Sequence, residues 1–256
     1  MNDIKKQKII THNLSVISRK QFLEVIKKFS FSQKSHYICI TPVHAIIEAY
    51  KNEKFEKIVN DSDLALPDGR PVFWALRLLN NNEAEYFPGY YVTKQICKMA
   101  VENKIKVGFY GGEIKVLNKC VEVLKNEFKE LDVNYVYSPP FRLLDNNEKS
   151  EIIKNINKSE IKFLFVSLGC PKQEYWMAEH KKNFQCTSVG IGAGVDWISG
   201  NKYMPPLWVQ KIGLFWLVRL ISEPKRLFWR YFSTNLKFIY LFFKQYLKFK
   251  LYKNIN

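Results

Sequence analysis

The chain has 256 residues, 47% of them hydrophobic, and a formal net charge of +16. That length allows one large α/β domain or two small ones around a sizeable core. It excludes a bilayer-spanning helix, because no apolar run approaches ~18 residues; the longest in the tail, Phe238 to Phe243, is flanked by Lys237 and Lys244.

Residues 13–17 read as an edge strand, and Lys20 to Phe29 has helical periodicity through Phe22, Val25, Ile26 and Phe29. Tyr37 to Ile40 predicts a strand ending in Thr41-Pro42-Val43-His44, followed by a helix over 45–59. Leu64-Ala65-Leu66 is a short strand entering the turn Pro67-Asp68-Gly69, and a helix follows from Pro71 to Leu79. A polar loop over 80–88 leads to a helix over 90–103, then a strand from Ile105 to Tyr110 that stops at Gly111-Gly112. A helix over 113–129, a strand over 133–137, a break at Ser138-Pro139-Pro140 and a helix over 146–157 come next. Phe163 to Leu168 suits a strand buried on both faces. Pro171 belongs in the first turn of the following helix, with Lys172, Gln173 and Glu174 beside it. Ser188 to Ile191 is the last strand, bent by Gly192-Ala193-Gly194 ahead of Asp196. Strands alternating with helices predict an α/β fold: a doubly wound, Rossmann-like, mostly parallel sheet. Beyond Pro205 the pattern is helical only. The expected domains are therefore a catalytic body over 1–200 and a helical appendage over 201–256.

That appendage holds eleven Lys or Arg against the single acid Glu223, and 15 of the 39 aromatic residues. Such a segment implies an anionic partner: a membrane surface, a phosphate-bearing substrate or nucleic acid. The five cysteines show no CxxC spacing and their number is odd. With a lysine-rich N-terminus in place of a signal peptide, reduced cytosolic thiols are expected.

Asp68 sits directly after a strand. Turn chemistry alone would favour Asp and Gly there; a carboxylate at a strand's C-terminal end would equally be poised as a general base, with Asp196 next in line. The glycine turns Gly108 to Gly112 and Gly190 to Gly194 could offer backbone N–H groups to a diphosphate, but neither fits the dinucleotide fingerprint. Gln173 and Glu174 suit the first turn of a helix whatever their function. Asp61-Ser62-Asp63 has the form of a metal–nucleotide DxD motif, yet it precedes its strand, which suits a helix end or the surface. His12, His36, His44 and His180 are scattered without metal-ligand spacing; His44, opening a helix after a strand, could line a site or be structural.

In order and spacing, these segments resemble the WecG/TagA/CpsF family of bacterial glycosyltransferases, from about Tyr37 to Tyr231. The resemblance rests on Thr41-Pro42-Val43-His44, Leu66-Pro67-Asp68-Gly69, Tyr110-Gly111-Gly112, Ser138-Pro139-Pro140-Phe141-Arg142, Gly169 to Trp176, and Gly192 to Trp197. It continues through Pro206 to Tyr231, with Arg219-Leu220, Glu223-Pro224 and Arg226-Leu227. It implies inverting, metal-independent transfer of a sugar, N-acetylmannosamine-type or a related hexose, from a UDP-sugar to a polyprenyl-diphosphate-linked sugar. The implied place is the inner face of the cell membrane, in the synthesis of teichoic acid, capsule or exopolysaccharide. No cofactor, metal or nucleic acid is implied, and a homo-oligomer is left open. Asp68 is then the base. Thr41, His44, Gly111, Gly112, Gln173, Glu174 and Asp196 are expected at the substrates, and Arg219, Arg226 and Arg230 at the lipid diphosphate. The family's R-x-x-G-x-D segment here reads Tyr86-Phe87-Pro88-Gly89-Tyr90-Tyr91, so Tyr replaces both Arg and Asp, and Phe215 stands where the pattern has Glu. A catalytically inactive peripheral membrane or nucleic-acid binding protein, working through the tail, is the alternative.

Overall fold

A computed structural model describes residues 4–255, apart from the side chains at 226 and 253–255. β1 (Lys6–Ile9) and β2 (His12–Ser15) pair antiparallel in a sheet of their own. The strand expected at 13–17 is thus the second arm of a hairpin whose first arm, KQKI, carries too little apolar character to be recognised alone. The remaining strands are β3 (Tyr37–Thr41), β4 (Leu64–Pro67), β5 (Val107–Tyr110), β6 (Val133–Tyr137), β7 (Phe163–Val166) and β8 (Thr187–Gly190). They form one six-stranded sheet in the order β4-β3-β8-β7-β5-β6. β3 with β8, β8 with β7, β7 with β5 and β5 with β6 all run parallel. Every residue of β3, β4, β5, β7 and β8 is buried, and only the edge strand β6 is half-exposed. Continuous apolar runs are what a parallel sheet covered on both faces requires.

The chain divides into two compact units. One comprises residues 1–18, 41–87 and 204–256, the other 19–40 and 88–203. In the first, the helix expected over 45–59 is two: α1 (Val43–Lys51) and α2 (Glu53–Asn60). Asn52 ends one and caps the next, its side chain accepting from the Phe55 amide at 3.0 Å. Asp61, from the DxD-like segment, is the C-terminal cap of α2. α3 (Arg70–Leu78) follows β4, and α4 (Leu207–Lys211), α5 (Phe215–Ser222) and the 32-residue α6 (Pro224–Ile255) close the chain.

α6 is amphipathic in an unusual way, with two apolar faces. Phe238 and Phe242 are buried in one core with Ile9, Leu14, Ile46, Ile47, Ala65 and Leu76, and Tyr246 and Phe249 pack beside them. Gln245 ties the same face to the hairpin, accepting from the Ile10 amide at 2.8 Å and donating to the Lys8 carbonyl at 2.7 Å. The helical appendage expected over 201–256 thus contributes one face to a core, because the aromatic spacing 238, 242, 246, 249 aligns on one side of the helix. The opposite side, with Trp229 72% exposed and Phe232, Leu236, Ile239, Phe243 and Leu251 also exposed, has no such cover. No described helix is long and apolar enough to cross a membrane.

In the second unit, the helices are α7 (Arg19–Phe31), α8 (Gly89–Glu102), α9 (Ile114–Glu127), α10 (Asn146–Lys158), α11 (Lys172–His180) and α12 (Gly194–Ile198). Pro171 is the cap of α11 and not part of its first turn; the peptide before it is cis. From β5 the chain steps outward to β6 and then returns to β7 on the other side of β5. The carboxyl ends of β5 and β7 therefore flank a topological switch point, where open α/β sheets bind ligands.

Phe238→Ala should cost about 3–5 kcal/mol of unfolding free energy in urea titration. Ile239→Ala, one residue away on the exposed side, should stay within about 0.5 kcal/mol. Equal effects would mean that α6 does not contribute a core face.

Candidate functional site

In the first unit, two backbone hydrogen bonds set the end of β4. The Asp68 amide donates to the Thr41 carbonyl and the Phe87 amide to the Pro67 carbonyl, each at 3.0 Å. Gly69 then turns with φ 82 into α3, a conformation that favours glycine. Asp68 is half-buried at this corner. Burial pushes its carboxyl up from 3.8 to about 6; the Arg219 guanidinium, the Gly69 amide and the Tyr86 hydroxyl, which hydrogen-bond or face it, pull the other way. A carboxylate whose proton affinity lies near working pH, with some access to solvent, is suited to accept a proton.

Arg70, the first residue of α3, donates from Nε to the Gln210 carbonyl at 3.0 Å and lays its guanidinium over the Tyr86 ring, 5.1 Å from the centroid. Thr41 is buried with its hydroxyl 3.4 Å from His12 Nε2. Burial, then the Lys6 charge, lowers His12 to about 3, so that imidazole is neutral. His44, half-buried on α1, is lowered by burial and next by Arg230, and its Nδ1 is buried without a hydrogen-bond partner. The structure thus brings Asp68 beside Arg219 and His44 beside Arg230. Arg219 and Arg230 stand on different helices, since Glu223 ends α5 and α6 begins at Pro224. The Arg226 side chain lies outside the described residues.

In the second unit, the loops beyond β5, β6, β7 and β8 are laced together. Ser167 Oγ donates to the Gly192 carbonyl at 2.7 Å, and Ser138 Oγ to the Gly112 carbonyl at 2.6 Å. Gly111 and Gly112 both have positive φ, and a side chain on Gly111 would strike the Ser167 carbonyl at 2.8 Å. Gln173, only 3% exposed, bridges helix and loop: its Oε1 accepts from the Gly192 amide at 3.1 Å and its Nε2 donates to Glu174 Oε1 at 2.9 Å. Glu174 is 1% exposed, and its Oε2 has no hydrogen-bond partner. Burial raises its carboxyl from 4.5 to about 7, opposed by hydrogen bonds from Gln173, its own amide and Cys170. Gly111, Gly112 and Gln173 accordingly gather around Ser167 and Gly192 beyond the strand ends, with Glu174 acting on Gln173 from the interior. Asp196 is on α12, its carboxylate accepting from Asn201 Nδ2 at 2.7 Å and paired with Lys202 at 3.7 Å. An engaged carboxylate of that kind is a weaker candidate base than Asp68. Tyr91 carries the Arg19 guanidinium 4.6 Å over its ring. Among the described residues, no group of three or more His, Cys, Asp or Glu could hold a metal ion.

Sequence reasoning missed Arg70, His12 and Ser167, and saw Tyr86 only as a departure from a pattern. Arg70 follows the Pro-Asp-Gly turn directly, and Ser167 closes a strand; both positions were legible. The His12–Thr41 contact spans 29 residues and left no local signal.

A carboxyl raised by burial at a strand end, and glycine turns beyond the strand ends of a parallel sheet, suit an enzyme of group transfer. The model of the Glycosyl transferase WecG/TagA/CpsF family matches residues 7–252. The chain belongs to that family and is a glycosyltransferase. It is 27% identical over 219 residues to an N-acetylglucosaminyldiphosphoundecaprenol N-acetyl-beta-D-mannosaminyltransferase of Bacillus subtilis (strain 168), covering 84% of each chain. Proteins of the same description in Bacillus spizizenii (28% over 193 residues, 75% of this chain and 72% of the relative) and Staphylococcus aureus strain MW2 (25% over 210 residues, 81% of each) are also similar.

Glu174 gives a test of this geometry. Its folded-state pKa lies above the unfolded one, so between pH 4.5 and 7 the unfolded chain releases a proton that the folded chain keeps. Its contribution is fully present below 4.5 and is lost as pH rises through 7. Glu174→Gln preserves an acceptor for Gln173 and removes the ionisation. The variant should match the parent in stability at low pH and exceed it by a few kcal/mol above pH 7, read by urea unfolding across pH. A difference independent of pH would refute the buried carboxyl.

Proposed function

We propose that the chain transfers a sugar, N-acetylmannosamine or a related hexose, from a UDP-sugar to a polyprenyl-diphosphate-linked sugar. The product belongs to cell-surface polysaccharide or teichoic-acid synthesis. The observation that carries this reading is Asp68: a carboxyl at the end of β4, lifted by burial to about 6 and facing Arg219. The relatives' names supply the acceptor, N-acetylglucosamine on undecaprenyl diphosphate, and the transferred group.

In this mechanism Asp68 takes the proton of the acceptor hydroxyl while that oxygen attacks the anomeric carbon from the side opposite the leaving group, inverting the centre. UDP departs with the bonding electrons. Backbone N–H groups and a nearby cation take up its charge, without a metal ion. Thr41 contacts the donor, Gln173 is a further substrate-binding position carried by the second unit, and Arg219 and Arg230 hold the lipid diphosphate, to which the guanidinium fork is matched. The tail helices dock on the inner face of the membrane. Their support is the exposed side of α6 together with exposed Leu207, Trp208, Ile212 and Ile221 on or beside α4 and α5, in a segment with net charge +10.

Asp68→Asn preserves shape but cannot accept the proton. Turnover of UDP-N-acetylmannosamine onto a prenyl-diphosphate-linked N-acetylglucosamine should fall at least about a hundredfold, while UDP-sugar binding by calorimetry is kept. Near-normal turnover would remove Asp68 from the base position.

For docking, each Lys or Arg near an anionic surface is worth roughly 1 kcal/mol. The triple variant Trp229→Ser, Phe232→Ser, Ile239→Ser should lose sedimentation with anionic liposomes at physiological salt and keep its urea midpoint. Undiminished sedimentation would mean this face does not meet the membrane.

A further inference from the structure

We propose that Tyr86, locked in place by Arg70, is a positioning residue that orients the Asp68 carboxylate for proton acceptance. The inference rests on the reading of Asp68 as the base and adds two residues to it.

Tyr86 is held from three directions. The Phe87 amide, the next in the chain, is bonded to the Pro67 carbonyl at 3.0 Å, which fixes the backbone on which Tyr86 hangs. The Tyr86 ring lies under the Arg70 guanidinium at 5.1 Å, and its hydroxyl hydrogen-bonds the Asp68 carboxylate. Arg70 is itself anchored, its Nε donating to the Gln210 carbonyl at 3.0 Å; Gln210 is buried and donates from Nε2 to the Pro205 carbonyl at 2.8 Å. Gly213 has φ 84, and a Cβ there would meet Trp74 at 2.7 Å and the Arg70 Cβ at 3.3 Å, so the chain passes close to the stem of Arg70. Little slack is left along the line from Pro205 through Gln210, Arg70 and Tyr86 to Asp68.

A carboxylate can rotate about its own bond. A hydroxyl fixed on one side ends that freedom and leaves lone pairs on the other side for the incoming proton. The phenol also does this without charge. Asp68 already faces Arg219, and a second guanidinium at position 86 would depress its proton affinity further. Here the cation sits one ring away, on Arg70. The groups acting on the carboxylate are therefore Arg219 from α5, Tyr86 and the Gly69 amide, with Arg70 of α3 acting through the Tyr86 ring.

The test uses the full chain and the pH dependence of kcat. A donor to the charged form lowers the carboxyl pKa, so removing it raises the acid limb. Tyr86→Phe should move that limb up by about one pH unit and cut kcat at pH 6 roughly fivefold, with KM for the UDP-sugar within about twofold. Tyr86→Arg, which restores a donor as a cation, should recover the rate and carry the limb below the parent's. Arg70→Met should move the limb in the same direction as Tyr86→Phe, by less, and serves in its place if that variant misfolds. An acid limb unmoved in the folded Tyr86 or Arg70 variant overturns the inference. If Asp68→Asn is inactive while Tyr86→Phe is unchanged, only the positioning role falls; if Asp68→Asn is active, the base assignment falls first and this inference with it.

Discussion

The hydrogen bond from the Asp68 amide to the Thr41 carbonyl extends the β3–β4 neighbourhood one residue past the end of β4. Much else in the first unit depends on it. With that amide committed, the next residue must turn, and Gly69 does so at positive φ, delivering the chain into α3 with Arg70 at its start. The adjacent bond, from the Phe87 amide to the Pro67 carbonyl, brings the loop after α3 back to the same corner. Backbone pairing thus sets the carboxyl and the phenol in register with each other, and side-chain chemistry is built on a frame that costs no side-chain entropy to hold.

The titratable groups around that corner are arranged so that few change charge together. His12 and His44 are driven neutral by burial and by neighbouring cations. Charge at the site comes mainly from arginines, which do not deprotonate near neutral pH. Asp68 is left as the group that titrates, balanced between desolvation and Arg219. In the second unit Glu174 shows the same opposition: a carboxyl raised by burial, shut away from water, with Gln173 between it and the Gly192 loop. One carboxyl is half-open and suited to exchange a proton, whereas the other is closed and suited to hold one.

Much of the sheet was legible because parallel strands buried on both faces are written as unbroken apolar runs, as in FLFV of β7. What failed were features set by partners distant in sequence. The lysine-rich β1 is a strand because β2 pairs with it, and the split at Asn52 shows only as a cap within an otherwise continuous helical pattern. Asp68, Gln173 and Arg219 could be nominated from position and resemblance. Tyr86 could not, since its role appears only once Pro67 and Phe87 are joined. The tail was only half legible for a physical reason: a helix that is aromatic on two sides shows its composition in the sequence, but which side is core appears only in the fold.

That double-sided helix ties location to folding. Its inner face, through Phe238 and Phe242, cannot be released without opening the first unit, so the outer face cannot be withdrawn by melting the helix. A cover for the outer aromatics that prefers the folded helix raises its apparent stability by mass action. In plain buffer the same aromatics remain wet, which favours self-association as concentration rises. Mild detergent would cover the same aromatics, and melting temperatures taken with and without it would describe two differently supported states of one fold.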